Sequence, residues 1–380
     1  MQRAPTELLV LQPTPFCNLD CRYCYLPGRD SKARMSQAVL DQVAHVVLRH
    51  GQLASEVTVV WHAGEPCVLP AAWYREAMAT LQAACPRGTR LTHSFQTNAT
   101  LIDEAWLALF AEPNVRVGVS LDGPRALHDA KRRTRAGGGT HSQVMAGVAK
   151  LQAAGIDFHV IAVLTAASLT QPRELARFFI EAGITQICLN VEEIDGINAA
   201  TSLADTGIAA AFSRFLTDFF EEIEAADPRP WVRELQFCEQ AVLATGLRAT
   251  AANHQVLPLA ILSVDVAGRV STFSPELLGV PAPDYDDFLF AELASLRRPS
   301  DLLRQPAFKR AAAAIEAGRK RCRKSCEYFR WCGGGAPANK LGETGRLDSS
   351  ETLFCRLTIK TLLSSYLDWK RAGMAEKLAS

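Results

Sequence analysis

Three cysteines, Cys17, Cys21 and Cys24, lie on one short stretch near the start of the chain with the spacing Cys-x3-Cys-x2-Cys. They follow an apolar run at 8–11 that predicts a first β-strand. Three thiolates on one loop can each hold one iron of a 4Fe-4S cube, whereas a cube ligated only by cysteine needs four, so one iron would stay open. A structural zinc loop and buried core cysteines are the alternatives. The stretch therefore predicts a metal centre at the end of the first strand.

The remaining cysteines extend this prediction. The chain has eleven, of which four more are clustered at Cys322, Cys326, Cys332 and Cys355. In a large intracellular chain, clustered cysteines more often bind metal than form disulfides. The dispersed cysteines are expected to be core residues; they are Cys67, Cys85, Cys188 and Cys238.

Length and charge limit the class of protein. A chain of 380 residues suggests two or three domains, or one large barrel. The net charge of +1 gives no field that favours nucleic acid or an anionic membrane as a partner. No apolar run reaches the length of a membrane-spanning helix, and the N-terminus leads into a strand and not a signal core. A cytoplasmic protein without nucleic-acid or membrane partners is expected.

Short β-branched runs alternate with helical patterns over the first half of the chain, which predicts an α/β fold with a parallel sheet. The predicted strands are 8–12, 57–62, 91–96, 115–121, 159–164 and 186–190. Ser36 is expected to cap the first helix, and others are expected at 71–84, 103–110, 142–154 and 172–182. Gly155 and Gly183 are expected just past helix ends. Six such units predict a partial (β/α)6 TIM-like barrel, whose chemistry lies at the C-terminal ends of its strands.

Polar and small residues follow each predicted strand. Singly, each is more often a helix cap or a turn former. The residues at the ends of the second to sixth predicted strands are Ala63, Gly64, Glu65, Asn98, Ser120, Asp122, Leu164, Asn190 and Glu192.

The cysteine loop and the string Ala63-Gly64-Glu65-Pro66 together resemble the radical S-adenosylmethionine (SAM) superfamily. In that family the amino and carboxylate groups of SAM occupy the open iron, and a Gly-Gly-Glu-Pro motif holds the amino group. Ala63 replaces the first glycine here, a change that the smallest side chain could tolerate. The resemblance implies SAM contacts for Ala63, Gly64 and Glu65 and for residues at the other strand ends. The residues at the strand ends are Asn98, Ser120, Asp122, Leu164 and Asn190. Tyr23, at the aromatic position before Cys24, is a further implied contact.

A charged, glycine-rich string runs from His128 to Thr140. A solvated, flexible loop is the simpler interpretation. The string also resembles the His-Asp-x2-Arg loop of radical SAM enzymes that modify peptides. That resemblance implies that Arg132 and Arg135 contact SAM or substrate, while His128 and Asp129 brace the loop.

An amphipathic helix predicted at 206–225 is broken by a proline-containing segment at 227–230. We therefore expect a radical SAM barrel at 7–226, an auxiliary iron-sulfur domain at 227–356 and a C-terminal helix at 357–380. A β-hairpin is predicted from 259–264 and 270–273.

Four thiols can ligate a second cluster completely, and their spacing alone also allows zinc. The string from Cys322 to Cys355 resembles the auxiliary-cluster domain called SPASM, which implies a twitch-like C-terminal module. The stretch 271–276 after the hairpin has no cysteine, where the full pattern commonly has one. One auxiliary 4Fe-4S cluster is therefore expected, with Cys238 as the nearest spare thiol.

The two ends together resemble peptide maturases that form three-residue cyclophanes, in particular the GrrM-type group, through residues 11–17, 25–27 and 273–279. The resemblance implies an oxidoreductase that takes a precursor peptide and a reducing partner such as flavodoxin or ferredoxin. Because the first strand begins near residue 8, we expect no N-terminal leader-peptide domain. A radical SAM enzyme acting on a sugar or nucleoside is the second hypothesis, and a non-catalytic metal protein is the third.

The implied reaction removes a Cβ hydrogen from the peptide with a 5′-deoxyadenosyl radical and joins that carbon to an aromatic ring. Restoring the ring requires loss of one proton and one electron. A carboxylate is the expected base, with Glu276 and Asp265 as candidates. A hairpin turn would attract an aspartate at 265 in any case.

Overall fold

The computed structural model describes residues 4–244 and 250–379, so Ser380 of the predicted C-terminal helix lies outside the described residues. Six parallel strands form the barrel wall. They are β1 (Thr6–Leu11), β2 (Leu53–Trp61), β3 (Arg90–Thr97), β4 (Val115–Ser120), β5 (Phe158–Leu164) and β6 (Gln186–Val191). All six predicted strands are confirmed, with ends shifted by a few residues.

Helices connect these strands, as the alternating pattern predicts. They are α1 (Gln37–Gln42, continued by a π-helical stretch Val43–Arg49), α2 (Ala71–Ala84), α3 (Glu104–Phe110), α4 (Arg125–Lys131), α5 (His141–Ala153) and α6 (Pro172–Glu181). Ser36 caps α1, because its hydroxyl accepts a hydrogen bond from Val39 N at 3.3 Å. Gly155 and Gly183 follow α5 and α6 at φ +65° and +67°, a conformation that glycine adopts without a Cβ penalty.

The helices pack on the outer face of the sheet. Val57, Val59 and Trp61 of β2 are fully buried, and the Trp61 ring meets Tyr74 of α2 edge-on at 5.3 Å between centroids. Burying one such side chain contributes about 1.5–3 kcal/mol. Because strand side chains alternate, Thr58 and His62 lie on the opposite, inner face, where they are only partly buried.

The predicted hairpin is present and extends the barrel sheet. Its strands are β8 (Ile261–Val264) and β9 (Arg269–Thr272), and the sheet also includes the short strands β7 (Trp231–Val232) and β10 (Ala291–Glu292). β8 lies parallel to β1, with Leu8 opposite Ile261 and Leu11 opposite Val264, and β9 lies antiparallel to β8. The ten strands have the order β10-β9-β8-β1-β2-β3-β4-β5-β6-β7. The second half of the chain is thus continuous with the barrel wall.

Helices complete the C-terminal part. They are α7 (Ile208–Glu224), α8 (Arg233–Leu243), α9 (Pro306–Ser325), α10 (Phe329–Cys332), α11 (Pro337–Thr344), α12 (Leu353–Cys355, continued by a π-helical stretch Arg356–Thr361) and α13 (Leu362–Ala379). α13 packs on α7, where Trp369 and Phe220 have ring centroids 5.7 Å apart. Within the described ranges, no helix combines the length and the apolar character needed to cross a membrane.

Candidate active site

The loop with Cys17, Cys21 and Cys24 follows β1 and is held in place by the loop after α4. Asp20 N donates to Arg133 O at 2.7 Å, and Arg22 N donates to Lys131 O at 2.9 Å. Backbone hydrogen bonds of this kind fix the path of an irregular loop without using its side chains. The thiols therefore remain available for other ligands.

These three thiols lie close to one another and none is in a disulfide. Burial, assisted by Glu65 and by the thiolates of Cys21 and Cys24, raises the pKa of Cys17 to about 12. A thiol such as Cys17, which resists ionisation on its own, gains from a cation that binds the thiolate, and iron supplies it. Within residues 4–244 and 250–379, no three Cys, His, Asp or Glu side chains converge on one ion. The cysteines of a cube bind different irons and need no such convergence.

The turn after β2 lies directly on the segment after β1. Ala63 and Gly64 have φ values of +73° and +67°. A Cβ on Gly64 would lie 2.4 Å from Phe16 O and 2.6 Å from Thr14 O, so only glycine fits there. Ala63 adopts its left-handed conformation with a methyl group in place. The turn thus presents its backbone beside the cysteine loop.

Glu65 is 2% exposed and its carboxylate is held on both oxygens. Oε1 accepts from Thr97 Oγ1 at 2.5 Å and from Cys67 N at 3.0 Å, and Oε2 accepts from Asn98 N at 2.7 Å. Burial raises the pKa of Glu65, while these hydrogen bonds act in the opposite direction. A fixed carboxylate next to the cysteine loop can accept an ammonium group, which fits the amino group of SAM.

Asn98 and Ser120 lie at the ends of β3 and β4. Asn98 Nδ2 donates to Asn18 Oδ1 at 2.8 Å and lies 3.9 Å from the sulfur of Cys17. The Ser120 hydroxyl accepts from Gln96 Nε2 at 3.0 Å. Both side chains are therefore oriented by neighbours, with Asn98 directly beside the cysteine loop.

Tyr23, Asp122 and Arg132 form a buried group. Tyr23 OH donates to Asp122 Oδ2, Arg132 Nε lies 3.1 Å from the same oxygen, and the guanidinium lies over the Tyr23 ring at 5.3 Å. Burial lowers the pKa of Arg132, but Asp122 and Tyr23 outweigh it, so the pKa is raised and the guanidinium stays charged. The group joins the cysteine loop to β4 and the loop after α4.

The rest of this loop is stabilised from within. The backbone N of Asp122 donates to His128 Nδ1 at 3.3 Å, and Asp129 Oδ1 accepts from Thr140 N and His141 N, each at 2.8 Å. Burial, followed by Arg132, lowers the pKa of His128 to about 3, so the ring is neutral. His128 and Asp129 are thus placed to brace the loop.

Arg135 and the ends of β5 and β6 complete the predicted set. Arg135 Nε donates to Cys17 O at 2.8 Å, so it holds the cysteine loop by its backbone. Leu164 is 1% exposed, and its carbonyl accepts from Glu192 N at 2.9 Å. Asn190 Oδ1 accepts from Arg233 at 2.8 Å, beside an apolar cavity of about 250 Å³.

Sequence reasoning missed a second polar group next to the cysteine loop. Tyr25 OH and His62 Nε2 are 2.7 Å apart. The loop after β6 crosses them, since Ile197 N donates to Tyr25 O at 3.0 Å and a Cβ on Gly196 would lie 2.2 Å from that oxygen. Their positions beside the two motifs, after Cys24 and before Ala63, are the signal that could have found them.

Glu276 belongs to this group together with Glu193 and Asp195 of the loop after β6. Burial raises the pKa of Asp195 to about 7, with Glu276 as the next cause. Burial also raises the pKa of Glu193 to about 8. A hydrogen bond from Asn339 lowers this pKa, and the charge of Glu276 raises it further. Burial raises the pKa of Glu276 itself. Glu193 and Asp195 can therefore hold and release protons near neutral pH, and the charge of Glu276 disfavours ionisation of both.

Asp265 is engaged elsewhere. Its Oδ1 accepts from Ala267 N and Arg269 N, each at 2.9 Å, and its Oδ2 is ion-paired with Arg269 at 2.6 Å. These contacts close the turn between β8 and β9. The structure thus places Glu276 in the carboxylate group and commits Asp265 to the hairpin.

The four C-terminal cysteines come from separate segments. Cys322 lies in α9, Cys326 follows it, Cys332 ends α10 and Cys355 lies in α12. Burial is the main cause that raises the pKa of Cys322 and of Cys355, and nearby thiolates add to it. Cys332 and Cys326 act on Cys322, and Cys332 acts on Cys355, so the thiols are neighbours. Gly333–Gly335 all have positive φ and reverse the chain after Cys332. Four free thiols that are near one another, each able to bind a different iron, fit a fully ligated cluster.

Helix α11 connects this cysteine group to the barrel. Asn339 Nδ2 donates to Glu193 Oε2, and a Cβ on Gly342 would lie 2.1 Å from Ile194 O. The loop after β6 therefore contacts α11 on one side and Tyr25 on the other. It is a short physical bridge between the two groups of cysteines.

Comparison with known proteins agrees with this geometry. The family model of the Radical SAM superfamily matches residues 11–179. An uncharacterised protein of Synechocystis sp. is 38% identical over 361 residues, which cover 94% of this chain and 90% of that protein. A serine-type anaerobic sulfatase-maturating enzyme of Klebsiella aerogenes is 35% identical over 162 residues, which cover 42% of this chain and 40% of the enzyme.

Two solved structures share the fold. Native anSMEcpe with bound AdoMet and the Cp18Cys peptide has a TM-score of 0.75 at 19% identity, covering 98% of both chains. Streptococcus suis SuiB bound to its precursor peptide SuiA has a TM-score of 0.63 at 16% identity, covering 93% of this chain and 76% of SuiB. These likenesses confirm the predicted radical SAM fold and its C-terminal cysteine-rich part. Residues 11–179 thus form a domain of the radical SAM superfamily, and this chain is a radical SAM enzyme, a class that implies a 4Fe-4S cluster and SAM as cofactors.

Proposed function

We propose that this enzyme is a peptide maturase of the GrrM type, which joins the Cβ of one residue of a precursor peptide to an aromatic ring of the same peptide. The observation that carries the proposal is the carboxylate group of Glu193, Asp195 and Glu276, which lies beside the cysteine loop and under α11. When bound, the cluster and SAM supply the 5′-deoxyadenosyl radical that removes hydrogen from the substrate. The protein supplies binding, orientation and proton transfer.

The residues around the cysteine loop are proposed to hold the cofactors. Cys17, Cys21 and Cys24 ligate the first cluster, and Glu65 accepts the amino group of SAM from its fixed position. The backbone of Ala63 and Gly64 lies beside the same group. The remaining SAM contacts are proposed for Tyr23, Asn98, Ser120, Asp122, Arg132, Leu164 and Asn190.

The crosslink requires the loss of two hydrogens. The Cβ–H bond breaks when its hydrogen atom leaves with the radical, the new C–C bond forms on the ring, and the ring carbon then loses its hydrogen as one proton and one electron. Glu276 is the proposed base because burial raises its pKa, which makes its carboxylate a stronger proton acceptor, and because it lies in the carboxylate group. Asp265 is the weaker candidate, since Arg269 and two backbone N–H groups occupy it.

Cys322, Cys326, Cys332 and Cys355 would hold one auxiliary 4Fe-4S cluster, and such a cluster would supply an acceptor for this electron. The bridge through α11 and the loop after β6 places this cysteine group near the carboxylates. The first cluster needs an electron for each SAM that is cleaved, so we expect a low-potential reducing partner such as flavodoxin or ferredoxin.

The proposal is tested by coexpression with a short, aromatic-rich peptide encoded next to the gene, followed by tandem mass spectrometry. The expected product has lost two hydrogen atoms per crosslink and gives no fragments between the linked residues. A Cys17→Ala enzyme is the control for radical chemistry. An unmodified peptide from the active, SAM-cleaving enzyme would contradict the proposal.

Maturation of a sulfatase is the second candidate, because serine-type anaerobic sulfatase-maturating enzymes are 30–35% identical to this chain over 162–250 aligned residues. Oxidation of a serine side chain to an aldehyde also removes two hydrogens, so mass alone does not separate the candidates. An aldehyde reacts with a hydrazide and leaves the backbone fragments intact, whereas a crosslink does neither. The named relatives at this identity are maturating enzymes, so the small-molecule alternative is not favoured.

A further inference from the structure

We infer that the buried ammonium group of Lys340 in α11 stabilises the reduced form of the auxiliary cluster and thereby raises its reduction potential. This role rests on the proposed function, because it requires an auxiliary cluster on the four C-terminal cysteines. It concerns a side chain outside the four cysteine ligands.

Lys340 is unusual because its charged end is inside the protein. The residue is 3% exposed, and its Nζ lies 3.5 Å from the sulfur of Cys322. Throughout residues 4–244 and 250–379, no Asp or Glu forms an ion pair with this ammonium group. A buried ammonium without a carboxylate is costly, so it requires negative charge from another source.

The surrounding backbone makes room for this side chain. A Cβ on Gly318 of α9 would lie 3.0 Å from Lys340 Nζ and 2.6 Å from Leu347 O. A Cβ on Gly335 would lie 3.6 Å from Lys340 Cε. Two glycines thus border the lysine, and both lie on the segments that carry Cys322 and Cys332. The ammonium is held against the cysteine group by the fold itself.

A cluster with four thiolate ligands supplies the missing negative charge. Such a cluster is anionic, and each electron that it accepts adds one more negative charge. A cation at a fixed, water-poor position attracts the reduced form more strongly than the oxidised form. Lys340 therefore raises the reduction potential, which favours acceptance of the electron released when the crosslinked ring regains aromaticity.

Lys360 offers a matched control on the solvent side of the same cysteines. The hydrogen bond with Glu351 is the main cause that raises the pKa of Lys360, and the charges of Cys326 and Cys355 also raise it, so Lys360 lies near these two thiols. Its side chain is 31% exposed and is paired with Glu351 at 2.5 Å. Water and the carboxylate screen its charge, so its removal should change the cluster potential little.

The experiment is an EPR-monitored redox titration of the full chain carrying Cys17→Ala, Cys21→Ala and Cys24→Ala, so that only the auxiliary cluster contributes. Lys340→Met, Lys340→Gln and Lys360→Met are compared with the unmodified lysines, with iron and sulfide measured per chain. At a fixed ambient potential, we expect both neutral Lys340 variants to lower the ratio of reduced to oxidised cluster at least tenfold, which is about 59 mV for one electron. The Lys360→Met ratio should stay within about twofold.

Equal ratios in all variants with full iron content would overturn the inference while leaving the auxiliary cluster in place. Loss of auxiliary iron in both Lys340 variants, but not in Lys360→Met, would also overturn it, because Lys340 would then serve assembly and not tuning. Absence of any iron-sulfur signal with both lysines present would instead remove the auxiliary cluster from the proposed function. The failures of the two proposals are therefore distinguishable.

Discussion

The two groups of cysteines differ in how the chain builds them and in the charge that surrounds them. Cys17, Cys21 and Cys24 share one loop, with the buried carboxylate of Glu65 near Cys17 and the Asp122–Arg132 ion pair near Cys21. The four C-terminal thiols come from separate segments and lie beside the buried ammonium of Lys340. A three-thiol loop next to an anion suits an open iron that receives the amino group of SAM. A four-thiol cage next to a cation suits a closed cluster that accepts electrons. Environment and ligand number are both consistent with the two proposed roles.

Removing one cysteine from each group tests this difference most directly. Cys21→Ala should abolish formation of 5′-deoxyadenosine, because the cluster that cleaves SAM loses one of only three ligands. Cys332→Ala should retain SAM cleavage but lose crosslinked peptide. Both products are measured by chromatography of anaerobic reactions. If Cys332→Ala lost SAM cleavage while keeping its fold and its first cluster, the division of roles would be wrong.

The proposed base can be separated from the radical step. Glu276→Gln should keep 5′-deoxyadenosine formation and lower crosslinking by about 10²-fold, which is typical for the loss of a general base. In the wild-type enzyme, crosslinking should rise with pH as Glu276 ionises, since burial raises its pKa and only the carboxylate accepts a proton. The product ratio of crosslink to 5′-deoxyadenosine gives the measurement.

Asp265→Asn is the matched control for that experiment. It should lower the free energy of unfolding by about 1 kcal/mol, because the hairpin turn loses charge-assisted hydrogen bonds, without changing the product ratio. A normal ratio in Glu276→Gln together with a lowered ratio in Asp265→Asn would reverse the assignment of the base.

Gly64 tests whether the turn after β2 must lie on the cysteine loop. Gly64→Ala should weaken SAM binding by about tenfold or more, because a Cβ would lie 2.4 Å from Phe16 O and displace the turn. Gly155 has nearly the same φ as Gly64, but a Cβ there would meet nothing within 4 Å. Gly155→Ala should therefore lower the free energy of unfolding by only about 1 kcal/mol and leave SAM affinity unchanged. Equilibrium dialysis and thermal unfolding measure both. Equal SAM affinities would show that the turn does not position SAM.

The bridge between the two cysteine groups should have a small pH signature. The folded state raises the pKa of Glu193 from 4.5 to about 8, so it binds the proton more tightly than the unfolded chain does. The stability contributed below pH 4.5 is then lost as pH rises through 8. Glu193→Gln should reduce the fall in Tm between pH 5 and pH 8.5 by about 1–3 °C. Glu104→Gln, on an exposed helix start, should keep the wild-type fall, and an unchanged slope in Glu193→Gln would contradict the assignment.

Local sequence signals predicted the barrel well. The alternation of β-branched runs with apolar helical faces located all six strands, and helix α2 occupies the predicted range Ala71–Ala84. Ser36 and Gly155 were identified by cap chemistry, which depends on a few neighbouring residues. The cluster cysteines and the residues implied to contact SAM stay predictions, although the structure brings Glu65 and Asn98 to the loop of Cys17.

The order of elements and the two cysteine groups could be predicted from the sequence, because each depends on short-range periodicity or spacing. The need for glycine at 64 comes from its approach to Phe16 O and Thr14 O, which only the fold shows. Only the tertiary structure decided that β8 pairs with β1, that Tyr25 meets His62, and that Glu193, Asp195 and Glu276 share one environment. It also decided that Lys340 is buried against Cys322. Most of these partners are far apart in the chain. Whether a charged group is buried, paired or screened is known only once the fold has brought its neighbours together.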